Sequence, residues 1–575
     1  MSDVLYLVPF LASLPLLYTI YLRLFPKPIP GIPYNEEDTK SLFGTISKIQ
    51  KQSPENMFGW ITAESRFHKS PIFQVWLGPF AKPSLIITDF REGQDILMRR
   101  KEFDRSDFSC DTLSGEARSF HIAMKTGPRW KAHRRLLQDL MTPAFLHNVA
   151  APNIYKSSMR LLKLWKAKAR LVNGKPFSAE HDVFCAALDA VFDFGFGDAA
   201  PMRALIPQIE RVSSLSEHEI QQLQEGAVDG KALEFPVAPI HPALEATLQT
   251  ADNIGGVAAT GFPKLAWLVI GRMPSVQRSR AVRDEFLVDQ IHQAAVRFKL
   301  QGKDLGDKYA KSAIDLMVQR QNAFAEKEGH LPPNWEETLR DESLGFVVAG
   351  HDTTSTTLCW GIKFIADDPE MQQKLLDSLR NFHTVAVAQD RLPTHAEICG
   401  ASIPYLDAVV EEMLRLSHTA IVQDRQCKED TIVLGYPIPK GTTVFIPNKG
   451  PSFTEPAYEI DEDLRSSSCQ TAAKEHGVRA WANEDMDKFK PERWLVHDEK
   501  GDEKFSATAG PTLPFGLGLR GCFGRKLAYM ELKLLTTVMM WSFEFQRCPE
   551  SLSSYESVEG LTRKPVQCYV RLNVR

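Results

Sequence analysis

The chain has 575 residues, 43% hydrophobic and 24% charged, so it can bury a large core and is neither low-complexity nor disordered overall. A net charge of −4, with no basic tract interleaved with aromatics, points away from nucleic acid as a partner. The nine cysteines are odd in number and scattered without finger-like spacing, which argues against a disulfide framework and for a reducing compartment.

The first feature in chain order is an uncharged apolar run from Val4 to Tyr21. At about 1.5 Å per residue it is long enough to cross a hydrocarbon core of roughly 30 Å. Arg23 and Lys27 follow it, so it reads as an anchor, residues 1–25, with the body on the cytosolic side. A cleaved signal peptide is the competing reading, disfavoured by charges that lie after the run and by the lack of a small-residue cleavage site. The Pro-rich residues 26–34 then read as a stiff spacer, and residues 35–575 as the catalytic body.

Between 35 and 100, short alternating stretches at Ile72–Leu77 and Ser84–Thr88 predict a small sheet beside helices. Phe103 to Met124 lacks periodicity and reads as a loop near a pocket. A helix after Gly127-Pro128 places Trp130 and Arg134 at i, i+4, so that an indole N–H and a guanidinium can converge on a carboxylate. Phe177 to Phe196 is an apolar, core-type helix. From about 200 to 275 the pattern degrades into a Pro-punctuated apolar connector.

Asp341 to Ile365 is helix-compatible but carries Gly350 and a cluster of hydroxyls, which are poor mid-helix choices. Local violations of this kind mark functional sites: a Thr that opens the helical ladder beside an acid can hold water and relay protons. Tyr405 to Leu416 reads as an amphipathic helix on which Glu412 and Arg415 are i, i+3 neighbours. Thr431 to Val444 reads as strand, turn, strand, and Pro491-Glu492-Arg493-Trp494 follows a polar stretch at 451–480.

The last landmark is Pro514-Phe515-Gly-Leu-Gly518-Leu-Arg520-Gly521-Cys522-Phe-Gly524-Arg525, ahead of an apolar run from Leu527 to Met540. A metal-bound thiolate needs backbone N–H donors around it, and Gly518, Gly521 and Gly524 would let the backbone approach with φ > 0. A helix starting just beyond Cys522 would direct its positive end at the sulfur. A Gly-rich turn around a structural cysteine is the plainer alternative.

The run Phe515-Gly-x-Gly-x-Arg520-x-Cys522-x-Gly524 resembles the haem-ligand signature of the cytochrome P450 family. The resemblance extends over nearly the whole chain, through Trp130-x-x-x-Arg134, Ala349-Gly-x-Asp352-Thr353, Glu412-x-x-Arg415 and Pro491-Glu-Arg493-Trp494 in order. It implies a mainly α fold with a small β region and an N-terminal transmembrane helix. Cys522 would ligate the iron of heme b, with Phe515 and Gly524 in the same loop. Trp130, Arg134, Arg425 and Arg520 would neutralise the propionates, and Ser417 to Val422 would lie over the haem. Asp352 and Thr353 would handle oxygen and protons, while Glu412, Arg415 and Arg493 would form a structural network.

The implied activity is insertion of one oxygen atom from O2 into a lipophilic small molecule, a secondary-metabolite intermediate of terpenoid or polyketide type. Electrons would come from NADPH through NADPH-cytochrome P450 reductase, with cytochrome b5 as an accessory donor. The implied location is the endoplasmic reticulum membrane, single-pass. Rival readings on the same fold are an isomerase or dehydratase and a non-catalytic haem-binding sensor. The 451–480 stretch departs from the family pattern and reads as a surface insertion.

Overall fold

The structure is a computed structural model that describes Pro15 and residues 25–78, 81–225, 230–302, 310–331 and 334–575. The anchor expected over 1–25 lies almost wholly outside the described residues, among which no helix is long and apolar enough to cross a membrane. The 26–34 stretch does not stand free. Ile29 and Ile32 are buried, and the Gln74 amide donates to both of their carbonyls and accepts from the Ile29 N–H. Proline stiffens the segment, but the buried glutamine fixes it to the body.

The helices that position the site are α1 (Met57–His68), α2 (Phe90–Met98), α3 (Pro128–Leu137), α4 (Ala151–Val172), α5 (Glu180–Phe196), α6 (Pro263–Ile270), α7 (Pro274–Arg297), α8 (Trp335–Asp367), α9 (Pro404–Ser417), α10 (Ser467–His476) and α11 (Arg525–Ser542). The 33-residue α8, about 50 Å long, runs through the middle and buries almost every side chain in its second half. α5, α7, α9 and α11 pack against it, α4 packs on α5 and α11, and their aliphatic and aromatic faces merge into one large core. Gly350 matters to that packing. A Cβ there would lie 3.0 Å from a Val191 methyl, so any larger residue would push α5 back by a few tenths of an ångström.

The helix does not break at its hydroxyl cluster, contrary to the expectation from sequence. Thr353 donates to the Ala349 carbonyl at 2.7 Å, Ser355 to His351 at 2.6 Å and Thr357 to Thr353 at 2.9 Å. These hydroxyls fold back on their own helix and leave its ladder continuous.

The β region is small. Strands β1 (Ile72–Val75), β2 (Ser84–Ile87), β3 (Phe103–Asp104), β5 (Val422–Cys427) and β8 (Thr443–Pro447) form one sheet in the order β1-β2-β8-β5-β3. The pair foreseen at 72 and 84 is antiparallel, with Ile72 opposite Ile87. The 431–444 segment gives a hairpin, β6 (Thr431–Val433) with β7 (Tyr436–Ile438), and then β8. β4 (Phe177–Ser178) joins a second sheet near the C-terminus with β11 (Phe543–Gln546) and β14 (Tyr569–Val574). β9 (Leu495–His497) pairs with β10 (Glu503–Phe505), and β12 (Ser557–Glu559) pairs with β13 (Arg563–Pro565).

Two stretches are more ordered than their composition suggested. Residues 107–114, expected as loop, are helical because the Ser106 hydroxyl caps the Ser109 N–H and buried Asp424 accepts from the Ser106 N–H and the Ser109 hydroxyl. In the polar stretch, residues 451–454 are buried and belong to the body. The surface addition proper comes after them, and it is docked: Arg465 pairs with Asp89 at the start of α2, the Ser466 and Ser468 hydroxyls donate to Asp95, and Cys469 of α10 is buried.

Candidate active site

A cavity of about 300 Å³ lies between α8 and the cysteine loop. Cys522 is enclosed by protein, yet its thiol is bare to this cavity. The loop is closed by the Cys522 N–H donating to the Phe515 carbonyl at 2.8 Å. Positive φ occurs at Gly516 and Gly518, and a Cβ on Gly518 would lie 2.4 Å from the Leu97 carbonyl oxygen. Gly521 and Gly524 have φ of −58° and −77°, so the expectation of left-handed backbone there is corrected. Gly524 instead keeps the loop small beside the sulfur, which a Cβ would meet at 3.9 Å.

Burial pushes the Cys522 thiol up, while the Gly524 and Arg525 N–H groups at the start of α11, with the Arg134 charge, pull it down. Those donors are where a thiolate would need them. Among the described residues no three His, Cys, Asp or Glu side chains are grouped so as to hold a metal ion between them. A metal at Cys522 would therefore bring its other ligands with it, as a porphyrin does.

The cationic wall supports the same conclusion. The Trp130 ring is contacted by two guanidinium groups, Arg134 at 5.7 Å and Arg520 at 4.8 Å, and Arg134 also covers Phe523 at 4.5 Å. Arg520 donates to the Met124 carbonyl at 2.8 Å and Arg425 to the Asp424 carbonyl at 2.7 Å. Yet Arg520 Nη1, Arg425 Nη2 and Arg105 Nε are buried without a partner. Burial and the neighbouring Arg105 charge push Arg425 and Arg520 down to about 10. Unpaired buried N–H groups on mutually repelling cations are costly unless an anion sits among them. Two carboxylates on the edge of a porphyrin meet that need, so the residues present fit haem. Arg105 had not been singled out from sequence, where it is one basic residue among several.

On the far side of the cavity, Thr353 lines the wall but Asp352 does not. Asp352 is buried with its carboxylate turned to the C-terminal strands, accepting from the Thr562 hydroxyl at 2.8 Å, with Lys564 Nζ 3.1 Å away as an ion pair. Thr419 and Ala420 line the cavity, as expected for the 417–422 segment.

Two acidic residues that the sequence did not single out also border the site. Glu531 on α11 lines the cavity, and complete burial pushes it up to about 8, a rise that the Thr354 hydroxyl only partly offsets. A glutamate in the apolar run after Cys522 was the signal for it. Glu342 is buried between the imidazoles of His121, at 2.8 Å, and His133, at 2.7 Å. Burial alone would raise its carboxyl, but the two imidazoles hold it below the usual range.

The bracing network joins the Glu412–Arg415 pair, expected from spacing, to Arg493, which the resemblance implied. Glu412 accepts from Arg415 Nε and Nη2 at 2.8 and 2.7 Å, from Arg493 Nε at 2.8 Å and from Trp494 Nε1 at 2.8 Å. Arg415 also donates to the carbonyls of Phe453 and Met486 at 3.1 and 2.7 Å. None of the Glu412, Arg415, Arg493 and Trp494 side chains lines the cavity, so the network supports the site from outside.

A family model described as cytochrome P450 matches residues 36–220, 258–450 and 480–571. The chain belongs to the cytochrome P450 family. The gap at 451–479 coincides with the segment bearing the docked α10. A Fusarium sporotrichioides protein named cytochrome P450 monooxygenase TRI13 is 39% identical over 571 residues, covering 97% of both chains. A Penicillium rubens protein named cytochrome P450 monooxygenase xilC is 35% identical over 97% of this chain and 94% of its own. One from Pestalotiopsis microspora, cytochrome P450 monooxygenase GME11363, is 35% identical over 98% and 96%. This P450 is a monooxygenase, an oxidoreductase of the haem-thiolate class.

Proposed function

We propose that this P450 oxygenates a lipophilic intermediate of fungal secondary metabolism, of terpenoid or polyketide type, using electrons delivered from NADPH by a flavoprotein reductase. The observation that carries the reading is the bare Cys522 thiol sharing one cavity with Arg105 and Arg520, each of which buries a partnerless guanidinium N–H. When bound, the haem supplies oxygen activation and transfer of one oxygen atom to the substrate.

The chain's own residues hold the rest of the reaction. Cys522 provides the thiolate, stabilised by the N–H groups of Gly524 and Arg525. Arg105, Arg134, Arg425 and Arg520, with Trp130, would hold the carboxylates of the cofactor. Phe515 closes the loop over the sulfur. Thr353 has its proton committed to the Ala349 carbonyl and offers lone pairs to the cavity. Asp352, one residue away, holds its carboxylate between Thr562 and Lys564, and on taking a proton from solvent the side chain would rotate out of that pair to pass it toward Thr353. Phe120, Ile122, Phe346 and Ala349 make the substrate side of the cavity apolar and exclude water from it.

The cysteine side suits an acidic redox partner. Arg135, Arg525 and Lys526 are exposed there, and Met98 and Leu519 add exposed apolar area beside them. Membrane association has support of its own. Leu265, Leu268 and Val269 of α6, with Met273, are exposed, as are Leu42 and Phe43, and both groups flank the end of β1 near Leu77. Such a patch, together with the apolar sequence from Val4 to Tyr21, supports an endoplasmic reticulum enzyme with a cytosolic body.

Two experiments test the proposal. The reduced, CO-bound spectrum of the wild type should report thiolate ligation, and a Cys522→Ala protein that kept that spectrum would overturn the assignment. Co-expression with a reductase in a host fed candidate terpenoids and polyketides should give products that gain one oxygen atom from O2. Turnover that needs no reductase would count against the monooxygenase cycle.

A further inference from the structure

The segment at 451–479 that the family model leaves unmatched is fastened to α2, and the fastening creates a second cleft. Arg465 pairs with Asp89 at 2.7 Å, the Ser466 and Ser468 hydroxyls donate to Asp95 at 2.6 and 2.7 Å, and Arg91 closes on Glu462 with Nη2 at 3.0 Å. These contacts hold α10 against α2. Between the two helices remains a cleft of about 110 Å³, with Phe90 and Met98 on one side and Ala472, Ala473 and Val478 on the other.

The cleft reaches the cysteine loop. Met98, which lines it, is 50% exposed, and its backbone abuts Gly518, where a Cβ would lie 3.1 Å from Met98 Cα. Leu519, the next residue along the loop, is 62% exposed. An apolar strip therefore runs from the loop that carries Cys522 into the cleft, and Val478 continues it on the far side.

The cations that border the cleft differ in one respect. Arg91 and Arg99 have carboxylate partners, Glu462 and Asp95. The Arg479 guanidinium has no hydrogen bond or ion pair among the described residues, and it is half-buried, so that burial alone pushes it down from its ordinary value. A guanidinium partly stripped of water, with five N–H donors and no anion beside it, is stabilised by a carboxylate that reaches it from outside. The acidic run Asp461 to Asp463 does not serve, since it precedes the N-terminal end of α10 and its Glu462 is taken up by Arg91.

We propose that the 461–479 segment is an added docking element for the flavoprotein reductase, in which Arg479 pairs with a carboxylate of the partner and the apolar floor of the cleft receives a neighbouring apolar side chain. This rests on the reductase reading above and deepens it. Charge and place argue for that occupant. A protein that hands electrons to the iron approaches the cysteine side, where Arg135, Arg525 and Lys526 already offer positive charge, and the cleft extends that basic and apolar surface by way of Leu519 and Met98. The segment then sets how tightly the partner docks, and it takes no part in the chemistry at the iron.

The full-length, haem-loaded enzyme is combined with a fungal NADPH-cytochrome P450 reductase under carbon monoxide, and formation of the reduced, CO-bound spectrum is followed against reductase concentration, which requires no knowledge of the substrate. Arg479→Glu should raise the half-saturating reductase concentration about tenfold at low ionic strength, and the difference should shrink at about 0.5 M salt. Lys474→Glu makes the same charge change on α10 outside the cleft and should raise it no more than about twofold. Arg479→Lys should recover most of the loss. Dithionite should give the same spectrum in every variant, because Arg479 does not border the haem cavity. Equal half-saturation for wild type and Arg479→Glu would overturn the proposal, as would equal effects of Arg479→Glu and Lys474→Glu. Failure of the reductase reading looks different: dithionite would give the thiolate spectrum in the wild type while no concentration of reductase did, and the docking element would fall with it.

Discussion

Lys564 Nζ lies 3.1 Å from one carboxylate oxygen of Asp352, and the hydroxyl of Thr562 donates to the other at 2.8 Å. The acid beside the oxygen-handling threonine is thus held by the C-terminal strands and not by its own helix. Removing Lys564 leaves the buried carboxylate without its ion-pair partner, free to settle in other positions. Lys564→Met should lower the fraction of NADPH electrons recovered in product several-fold and raise hydrogen peroxide release. Substrate affinity should not change, since Lys564 does not line the cavity. Product yield per NADPH with peroxide assayed in parallel checks this, and an unaltered yield would mean that Asp352 works from its resting position.

The cationic wall predicts opposite stability effects in the haem-free and haem-loaded protein. Arg425 is buried, one of its terminal nitrogens has no partner, and burial together with Arg105 pushes it down to about 10. Near neutral pH the guanidinium is charged both folded and unfolded, so this penalty is fully present, and it is relieved only as pH climbs past about 10. Arg425→Met should stabilise the haem-free protein by roughly 1–3 kcal/mol. The same change should destabilise the loaded enzyme, where an anion balances the charge. Thermal unfolding of both forms, with and without the substitution, measures the pair of signs.

Glu531 gives a pH dependence. Its folded value of about 8 lies above that of an unfolded glutamate, near 4.5. Between those two values the folded protein keeps a proton that the unfolded chain has released. Stability from this group is therefore full at pH 4.5, falls as pH rises toward 8 and is flat above it. Glu531→Gln keeps the shape and cannot ionise. It should gain on the order of 2–4 kcal/mol over the wild type at pH 8 and nothing at pH 4.5. Denaturant melts at the two pH values decide this, and a constant gap would show that Glu531 is ionised in the native state.

What could be read before the structure was chemistry carried by residue type at short spacing. Cys522 within its glycines, Glu412 with Arg415, and Trp130 with Arg134 each state their geometry within a helical turn or a tight loop. The run that became α8 was also legible, although the structure extends it from 341–365 to Trp335–Asp367. What stayed hidden depends on long-range contact. Asp352 meets Thr562 across 210 residues, and nothing local in Asp352-Thr353 says that the carboxylate turns away from the cavity. The helix at 107–114 relies on Asp424, over 300 residues further on, to hold its first turn. The Pro-rich 26–34 stretch resembles a spacer until Gln74 is seen holding its carbonyls.

Glu412 separates a structural role from a catalytic one. It is fully buried and takes hydrogen bonds from Arg415, Arg493, Trp494 and the Lys490 N–H, while Arg415 holds the backbone at Phe453 and Met486. Glu412→Gln preserves volume but leaves two guanidinium groups without their anion, which should cost about 3–5 kcal/mol. The segment so loosened leads directly to the cysteine loop, so the purified variant should carry much less haem per chain. The molecules that do retain haem should turn over at close to the wild-type rate, because Glu412 does not reach the cavity. Haem content, melting temperature and rate per haem, measured on one preparation, test all three statements. A variant with full haem content and a normal melting temperature would show that the arginines find another anion, and a slow rate per haem would assign Glu412 to the chemistry.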